Sequence, residues 1–284
     1  MRVWNTRLKN FRRCRRKWYF GDVLNLGPRE PFRTWLVGEM GHLCQEKLYC
    51  TGEVRVEGCV TEVLRRYEMV LFDEEIVELV RLLADIMNRY VCTYAEHDQS
   101  FIKKILGVEH EFAIPLSGGI ILEGVFDLVV LDHQDRIHIW DHKFTGTPHQ
   151  YKHILLDPQA STYFFAGETM FGNVDSFTLN NILSKRPPKK SKYDNPCFHR
   201  EHVRRNTYEQ GLFIQETIQQ AREMQKILSL YEEGMPVPLY RTPTKDCHWD
   251  CEFYTMCITE MKGGDIEYIM DLKYVRKPER IGRG

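Results

Sequence analysis

The segment from residue 120 to residue 143 constrains the fold more than any other stretch of the chain. Its first twelve residues are mostly apolar and β-branched, a composition typical of a strand buried on both faces. A polar link of four residues follows, and the second arm, 136–143, alternates so that Asp141 and Lys143 share one face. This pattern predicts a β-hairpin within a sheet.

An acidic residue, Asp127, interrupts the first arm of this hairpin. A lone carboxylate is costly to bury, and pairing of the two arms can bring Asp127 alongside Asp141 and Lys143. Two carboxylates and an ammonium group would then converge at one end of an apolar sheet, which suits a hard divalent cation bound by oxygen atoms. The alternative is an ordinary ion pair on a sheet face, and these three residues alone do not decide between the two.

Patterns on either side of the hairpin predict a mixed sheet. Residues 108–116 alternate, and the Ser-Gly-Gly turn at 117–119 leads into the hairpin, so we expect three consecutive antiparallel strands. A further strand, 176–184, follows a helix and is therefore entered by a crossover. Strands and helices in this order predict an α/β fold.

The helix that precedes the last of these strands has a clear start signal. Asp157 suits the N-cap position, and Pro158 suits the first helical position. Gln159 and Tyr163 lie four residues apart and therefore share a face of this helix.

Apolar stripes at helical spacing predict helices elsewhere in the chain. They cover 6–20, 34–49 and, as two helices, 58–94, and the later ones suggest a helical subdomain beside the sheet. The Pro- and Lys-rich segment 185–206 is expected to be a loop or lid. A long helix is expected over about 207–231.

Three of the nine cysteines gather near the end of the chain. Cys247, Cys251 and Cys257 are separated by three and then five residues, in a chain whose odd cysteine number argues against a disulfide framework. Such clustering indicates a metal site, for which His248 is the nearby additional ligand. Cys14 lies on the apolar stripe of the first helix and, taken alone, is expected to be a small buried residue.

The charge distribution is uneven although the net charge is only −1. The first 17 residues hold eight Lys or Arg and no acid, and a second basic run lies within 185–205. Each run is either a solvated surface or a contact for nucleic acid. Tyr151, Tyr193 and Phe198 could stack on bases, with core packing as the default for each of them. No apolar run suggests a membrane span or a signal peptide, so no membrane partner and a cytoplasmic location are expected.

Four motifs occur in an order that resembles a known family. They are Gly38 with His42, Gly124-x-x-Asp127, Asp141-x-Lys143 and Gln159-x-x-x-Tyr163. The chain resembles the RecB-type exonucleases of the PD-(D/E)XK superfamily, in particular the iron–sulfur branch that includes the exonucleases of CRISPR adaptation and their phage relatives. Phe126 stands where the superfamily name has Pro, and Asp141 stands where Glu is an alternative.

The resemblance implies a restriction-endonuclease-like fold, in which helices flank a mixed β-sheet core, with a helical subdomain and a cysteine-stapled C-terminal region. It implies a single nuclease domain over 1–284. Its segments would be a basic N-terminal helix with the first cluster cysteine (1–33), the helical subdomain (34–100), the nuclease core (101–206), a helix with the cysteine cluster (207–263) and a tail (264–284).

The resemblance also implies the site residues. Mg²⁺ or Mn²⁺ would be held by His42, Asp127, Asp141 and the backbone carbonyl of His142. Lys143 would position or deprotonate the attacking water, and its neutral form would require a lowered pKa. Gln159 and Tyr163 would contact DNA or brace the ligands, and Glu109 or Glu111 could add a carboxylate.

The family's iron–sulfur branch has one cysteine near the N-terminus and three near the C-terminus. These would be Cys14, Cys247, Cys251 and Cys257, holding a 4Fe–4S cluster as a staple, with Zn²⁺ as the alternative metal. Three residues separate Cys247 from Cys251, where two are commoner in the family.

The expected function is therefore a metal-dependent DNA exonuclease that leaves 5′-phosphate ends. Its partners would be DNA, single-stranded or with free ends, and a separate helicase or recombination protein. The location would be the cytoplasm, or the host cytoplasm for a viral protein. The alternatives are a non-catalytic subunit that binds DNA or a helicase, an endonuclease of the same superfamily, and a zinc-bound interaction module.

Overall fold

The computed structural model describes residues 1–30, 32–150 and 152–277. Tyr151 and the last seven residues of the predicted tail, 278–284, lie outside this part of the chain. The chain forms two compact units. The terminal unit comprises Met1–Pro31, Ala113–Gly124 and Leu212–Gly284, and the central unit comprises Phe32–Phe112 and Val125–Gly211. The single nuclease domain stays a prediction.

Ten α-helices and eight strands are assigned within the described residues. The helices are α1 (Asn5–Arg13), α2 (Arg15–Trp18), α3 (Arg33–Thr51), α4 (Val56–Arg66), α5 (Asp73–Phe101), α6 (Pro158–Phe171), α7 (Thr207–Glu232), α8 (Cys247–Asp250), α9 (Tyr254–Met261) and α10 (Ile266–Lys273). The strands are β1 (Arg2–Val3), β2 (Leu26–Pro28), β3 (Ile102–Leu116), β4 (Ile120–Asp132), β5 (Ile137–Thr145), β6 (Val174–Leu183), β7 (Phe198–Val203) and β8 (Tyr274–Arg276). None of the helices in the described ranges is both long and apolar enough to cross a membrane.

The predicted hairpin is the centre of the sheet in the central unit. β4 pairs antiparallel with β5, with Leu128 opposite Trp140 and Leu131 opposite Ile137. β5 then pairs parallel with β6, and β6 pairs antiparallel with β7. Parallel and antiparallel pairs in one sheet confirm the predicted mixed α/β fold with flanking helices.

The hairpin turn is fixed by Asp132, which is fully buried. Its Oδ1 accepts the backbone N–H groups of Gln134 and Arg136, each at 2.9 Å, and its Oδ2 accepts from the Arg136 guanidinium at 2.8 Å. His138 Nε2 lies 3.0 Å from the same Oδ2. A carboxylate that accepts this many hydrogen bonds sets the turn, and with it the register of β4 against β5.

The helices of the central unit form their own core. α3, α4 and α5 pack around buried apolar side chains that include Met40, Val60 and Leu83. Asp157 accepts a hydrogen bond from the Gln159 backbone N–H at 2.9 Å, which confirms the predicted N-cap of α6.

The expectation of a loop or lid over 185–206 is wrong for its last part, because β7 lies there and covers the outer edge of β6. Four of the six residues of β7 are polar or charged, so the segment lacks the apolar pattern of a central strand. Phe198, named for base stacking with core packing as the default, is only 4% exposed and packs against Tyr90 and Tyr94, in agreement with that default.

The terminal unit differs from the sequence prediction in two places. The predicted helix over 6–20 is broken at Cys14, whose backbone is extended between α1 and α2. The segment after Gly263, predicted only as a tail, forms α10 and β8, and β8 pairs antiparallel with β2. Tyr274 is buried there with Phe20 and Phe253, so aromatic packing at widely separated positions supplies a core that local hydropathy does not reveal.

Candidate active site

The central unit brings together every residue of the predicted nuclease site. β4 carries Asp127, β5 carries Asp141, His142 and Lys143, α3 carries His42, and α6 carries Gln159 and Tyr163. The alternation of β5 places Asp141 and Lys143 on one face of the sheet and the His142 side chain on the other. The roles predicted for these residues stay predictions, whereas their positions follow from the fold.

Asp127 is a nearly buried carboxylate with two neighbours. Its Oδ2 accepts the backbone N–H of His142 at 2.7 Å and lies 3.4 Å from His42 Nδ1. Burial raises the pKa of Asp127 to about 6, although Lys143 and the His142 N–H oppose this rise. The site therefore disfavours a bare negative charge at this position.

Asp141 is even more buried, with 1% of its side chain exposed. Its Oδ1 accepts from Lys143 Nζ at 3.0 Å and from Gln159 Nε2 at 2.7 Å, and its Oδ2 lies 2.8 Å from Lys143 Nζ. Oδ2 meets the ammonium group as an ion pair without good hydrogen-bond geometry. Burial raises the pKa of Asp141 to about 6, and the nearby Asp127 carboxylate adds to the rise.

Lys143 is the cation of the site, with 40% of its side chain exposed. Burial lowers its pKa, but the Asp141 and Asp127 carboxylates more than offset that effect, so its pKa is raised. The neutral lysine that proton abstraction would require is thus disfavoured by these neighbours. Lys143 is an ammonium group here, able to donate hydrogen bonds and to offset negative charge.

Gln159 and Tyr163 lie on the face of α6 that meets the site. Gln159 Nε2 donates to the Tyr163 hydroxyl at 3.2 Å as well as to Asp141. Tyr163 is 7% exposed, and its ring packs edge-on against Phe126 at 5.5 Å. Gln159 therefore braces Asp141, and the buried Tyr163 is placed to support Gln159.

Sequence reasoning gave Glu109 no more than a supporting place, whereas the structure places it directly beside two predicted ligands. Ligand atoms of His42, Glu109 and Asp127 all lie within 4.8 Å of one another. The backbone of Glu109 is left-handed, with φ of 46°, an unusual conformation for this residue inside a strand. Such an irregularity turns a side chain away from the regular alternation of a strand, so the pattern alone could not choose Glu109 over Glu111.

The donor set fits a hard divalent cation. Asp127, Asp141 and Glu109 supply carboxylate oxygens, and His42 supplies an imidazole nitrogen next to Asp127. A cation would also offset the unfavourable burial that raises the pKa of both aspartates to about 6. Asp141 is not part of the compact group formed by His42, Glu109 and Asp127, because its oxygens face Lys143 and Gln159.

The four predicted cluster cysteines all belong to the terminal unit, and each is half-buried. Backbone N–H groups of Thr242 and Thr244 point at the sulfurs of Cys14 and Cys247, at 3.4 and 3.3 Å. Burial raises the pKa of Cys251 to about 11 and also raises that of Cys257, which is close enough to Cys14 for the two thiols to interact. Among the described residues, the four sulfurs do not form a compact ligand group like that of His42, Glu109 and Asp127, so the cluster stays a prediction.

The basic N-terminal segment is neutralised within the terminal unit. Its ion pairs are Arg2–Glu123, Arg13–Asp250, Arg15–Glu223, Arg16–Glu260 and Lys17–Glu252. Five of the eight Lys and Arg residues in the first 17 positions therefore have carboxylate partners. This favours a structural role for the segment over contact with nucleic acid.

Comparisons with known proteins identify the family and support the fold. The profile of the PD-(D/E)XK nuclease superfamily matches residues 5–258, so the chain belongs to this superfamily of nucleases. The solved structure of a candidate exonuclease from Eubacterium rectale is similar over 87% of each chain, with 13% identity and a TM-score of 0.56. The solved structure of SSO0001 covers 78% of this chain and 82% of its own, with 12% identity and a TM-score of 0.36. None of the curated proteins matches the chain.

Proposed function

We propose that the protein is a metal-dependent DNA exonuclease that hydrolyses phosphodiester bonds to 5′-phosphate products. One observation carries the proposal: two buried carboxylates with raised pKa, Asp127 and Asp141, face a lysine ammonium group. A structural ion pair needs one carboxylate, and burying a second one nearby costs free energy unless a cation joins it.

His42, Asp127, Asp141 and the backbone carbonyl of His142 would hold Mg²⁺ or Mn²⁺, and the position of Glu109 supports adding it to this set. The bound cation would acidify water and stabilise the charge that develops on the phosphate. The residues of the chain provide the rest of the chemistry.

In the hydrolysis, a water oxygen attacks phosphorus and the bond from phosphorus to the 3′ oxygen breaks. The attacking water gives up a proton, the 3′ oxygen takes up a proton and leaves as a hydroxyl, and the phosphate stays on the 5′ side. Lys143, whose ammonium group faces Asp141, would position or deprotonate the attacking water and would offset phosphate charge. Gln159 keeps Asp141 in place during the reaction.

Two features support DNA with single-stranded or free ends as substrate. The similar protein from Eubacterium rectale is named as a candidate exonuclease. In the central unit, exposed Tyr193 stacks on His149 with ring centroids 3.7 Å apart, and Lys192 Nζ lies 5.2 Å from the Tyr193 ring. An aromatic side chain beside cationic groups can stack on unpaired bases while the cations contact phosphates.

The four cysteines of the terminal unit are proposed to hold a 4Fe–4S cluster. It would join the junction of α1 and α2 to α8 and α9, which supports a stapling role. A separate helicase or recombination protein would be the partner, and the location would be the cytoplasm.

Digestion of DNA with and without ends tests the proposal. End-labelled linear DNA and closed circular DNA are incubated with the protein and Mg²⁺ or Mn²⁺. We expect degradation of the linear form alone, abolished by EDTA. Cleavage of circles would make the protein an endonuclease, and binding of DNA without cleavage of either form would favour the non-catalytic subunit.

A further inference from the structure

A buried polar network lies on the face of β5 opposite Asp141 and Lys143. Its centre is a row of three side chains on neighbouring strands, because His142 pairs with Asn180 and Asn180 pairs with Arg200 in the strand registers. His142 is 2% exposed and Asn180 is fully buried. Polar side chains this deep in a sheet must satisfy one another.

The His142 ring is held by two contacts. Asn180 Nδ2 lies 2.8 Å from His142 Nδ1, and the Tyr49 ring stacks parallel to the imidazole with centroids 5.6 Å apart. Because an amide nitrogen can only donate, the His142 ring accepts this hydrogen bond at Nδ1. As an acceptor at Nδ1, it carries its proton on Nε2.

The Asn180 amide is oriented in turn by its other neighbours. Its Nδ2 also donates to the Tyr90 hydroxyl at 2.8 Å, and its Oδ1 accepts from Arg200 Nε at 3.3 Å. Arg200 makes a two-pronged ion pair with Asp98 at 2.5 and 2.9 Å. The amide therefore has one orientation that satisfies both of its ends, and this orientation directs Nδ2 at His142.

The network has a feature that stability alone does not explain. His142 Nε2 is buried and has no hydrogen-bond partner among the described residues. An unpaired buried N–H costs about 1–3 kcal/mol, which an apolar ring at this position would avoid. We therefore expect the fixed His142 ring to contribute to the geometry of the active site.

That benefit follows from the backbone of the same residue. The N–H of His142 donates to Asp127 Oδ2 at 2.7 Å, and His142 stands between Asp141 and Lys143 in the sequence. A ring locked on one face of the strand fixes the peptide plane that holds the carboxylate on the other face.

We propose that Asn180 is a positioning residue that acts through His142 to hold the Asp127 carboxylate in place for the divalent cation and the phosphate. The inference rests on the proposed function. Asn180 pairs with His142 and so lies on the sheet face opposite Asp141 and Lys143, and its partners Tyr90 and Arg200 extend the support to α5 and β7.

The test compares Asn180→Leu with a matched control, Thr178→Val. Thr178 is also fully buried on β6, two residues from Asn180 on the same face, and its hydroxyl lies 2.9 Å from His202 Nδ1. Each variant removes one buried polar group of the same strand. The readouts are Mn²⁺ affinity by EPR titration without DNA, kcat and KM on linear DNA, and Tm in EDTA.

We expect Asn180→Leu to weaken Mn²⁺ binding and to lower kcat by about 10–100-fold, the usual effect of losing a group that orients a ligand, with KM for DNA unchanged. Thr178→Val should lower Tm without changing Mn²⁺ affinity. Equal Mn²⁺ affinity and kcat in Asn180→Leu and the control would overturn the inference while leaving the proposed function intact.

Tyr90→Phe provides a second test if Asn180→Leu does not fold. It keeps the ring and removes the hydroxyl that accepts from Asn180, so a smaller loss of Mn²⁺ affinity in the same direction is expected. An unchanged affinity in Tyr90→Phe would contradict the inference. A wild-type protein that binds no Mn²⁺ would overturn the proposed function and this inference together.

Discussion

Replacement of Asp127 by Asn should stabilise the metal-free protein while it removes a ligand of the site. Burial raises the pKa of Asp127 to about 6 in the folded protein, compared with about 3.9 in an unfolded chain. Because the folded-state pKa is the higher one, the folded state favours the protonated carboxyl. This contribution is present at low pH and is lost as the pH rises through about 6.

The magnitude follows from the two pKa values. Asparagine resembles the protonated acid, so it avoids the free-energy cost of ionising the buried carboxyl. From the two pKa values, this cost is about 1.5 kcal/mol at pH 5 and about 3 kcal/mol at pH 8. The His142 N–H keeps an acceptor in this variant, because the amide oxygen of asparagine can replace the carboxylate oxygen.

Urea unfolding in EDTA measures the effect in both proteins. Asp127→Asn should exceed the wild type in free energy of unfolding by about 3 kcal/mol at pH 8, with roughly half that difference at pH 5. Added Mn²⁺ should then raise the stability of the wild type more than that of the variant. A variant no more stable than the wild type at pH 8 would refute the reasoning that Asp127 is held at an electrostatic cost.

Three further predictions concern the hairpin turn, the helix that carries His42 and the cysteines. Burial raises the pKa of Asp132, but hydrogen bonds from Arg136 and His138 outweigh that effect and leave the pKa lowered, so its stabilising contribution is complete above about pH 4 and is lost progressively as the pH falls from there towards the folded-state pKa. Asp132→Asn should therefore lower the urea midpoint more at pH 7 than at about pH 2, and an equal loss at both values would contradict this. A Cβ on Gly41 would overlap the Phe144 ring, so Gly41→Ala should lower the free energy of unfolding by about 1–3 kcal/mol and displace the adjacent His42. The measurements are Tm and Mn²⁺ affinity, both of which should fall. Gly38→Ala, which has open space around its Cβ, is the control. Cys14→Ala should abolish the brown colour and the iron content of protein purified without air; metal content that is unchanged would remove Cys14 from the ligand set, and colourless wild-type protein that contains zinc would replace the cluster with zinc.

The sequence predicts those parts of the fold and site that depend on residues close together in the sequence. The hairpin, its alternation and the Asp157 N-cap arise from contacts within a few residues, so pattern and cap chemistry identify them. The motif order then places His42, Asp127, Asp141 and Lys143 together.

The parts that the sequence left open or did not indicate depend on contacts between distant segments. Glu109 joins His42 and Asp127 because a left-handed backbone turns it out of the strand pattern, and no composition rule signals that turn. Asn180 looks like an ordinary polar residue in an apolar strand until α5 and β7 supply Tyr90 and Arg200 as partners. β7 itself was missed because an edge strand with polar side chains resembles a loop.

The residues around Lys143 are proposed to perform phosphodiester hydrolysis. The most direct test measures the rate at which Lys143→Ala and a control, Lys103→Ala, cleave end-labelled linear DNA. Lys103 pairs with Asp135 at 2.5 Å on an exposed part of the same unit, so the control also removes an ammonium group from an ion pair. We expect Lys143→Ala to bind DNA with wild-type affinity but not to cleave it, and Lys103→Ala to cleave DNA at the wild-type rate. Cleavage at the wild-type rate by Lys143→Ala would show that Lys143 is not needed for hydrolysis and would contradict the proposed active site.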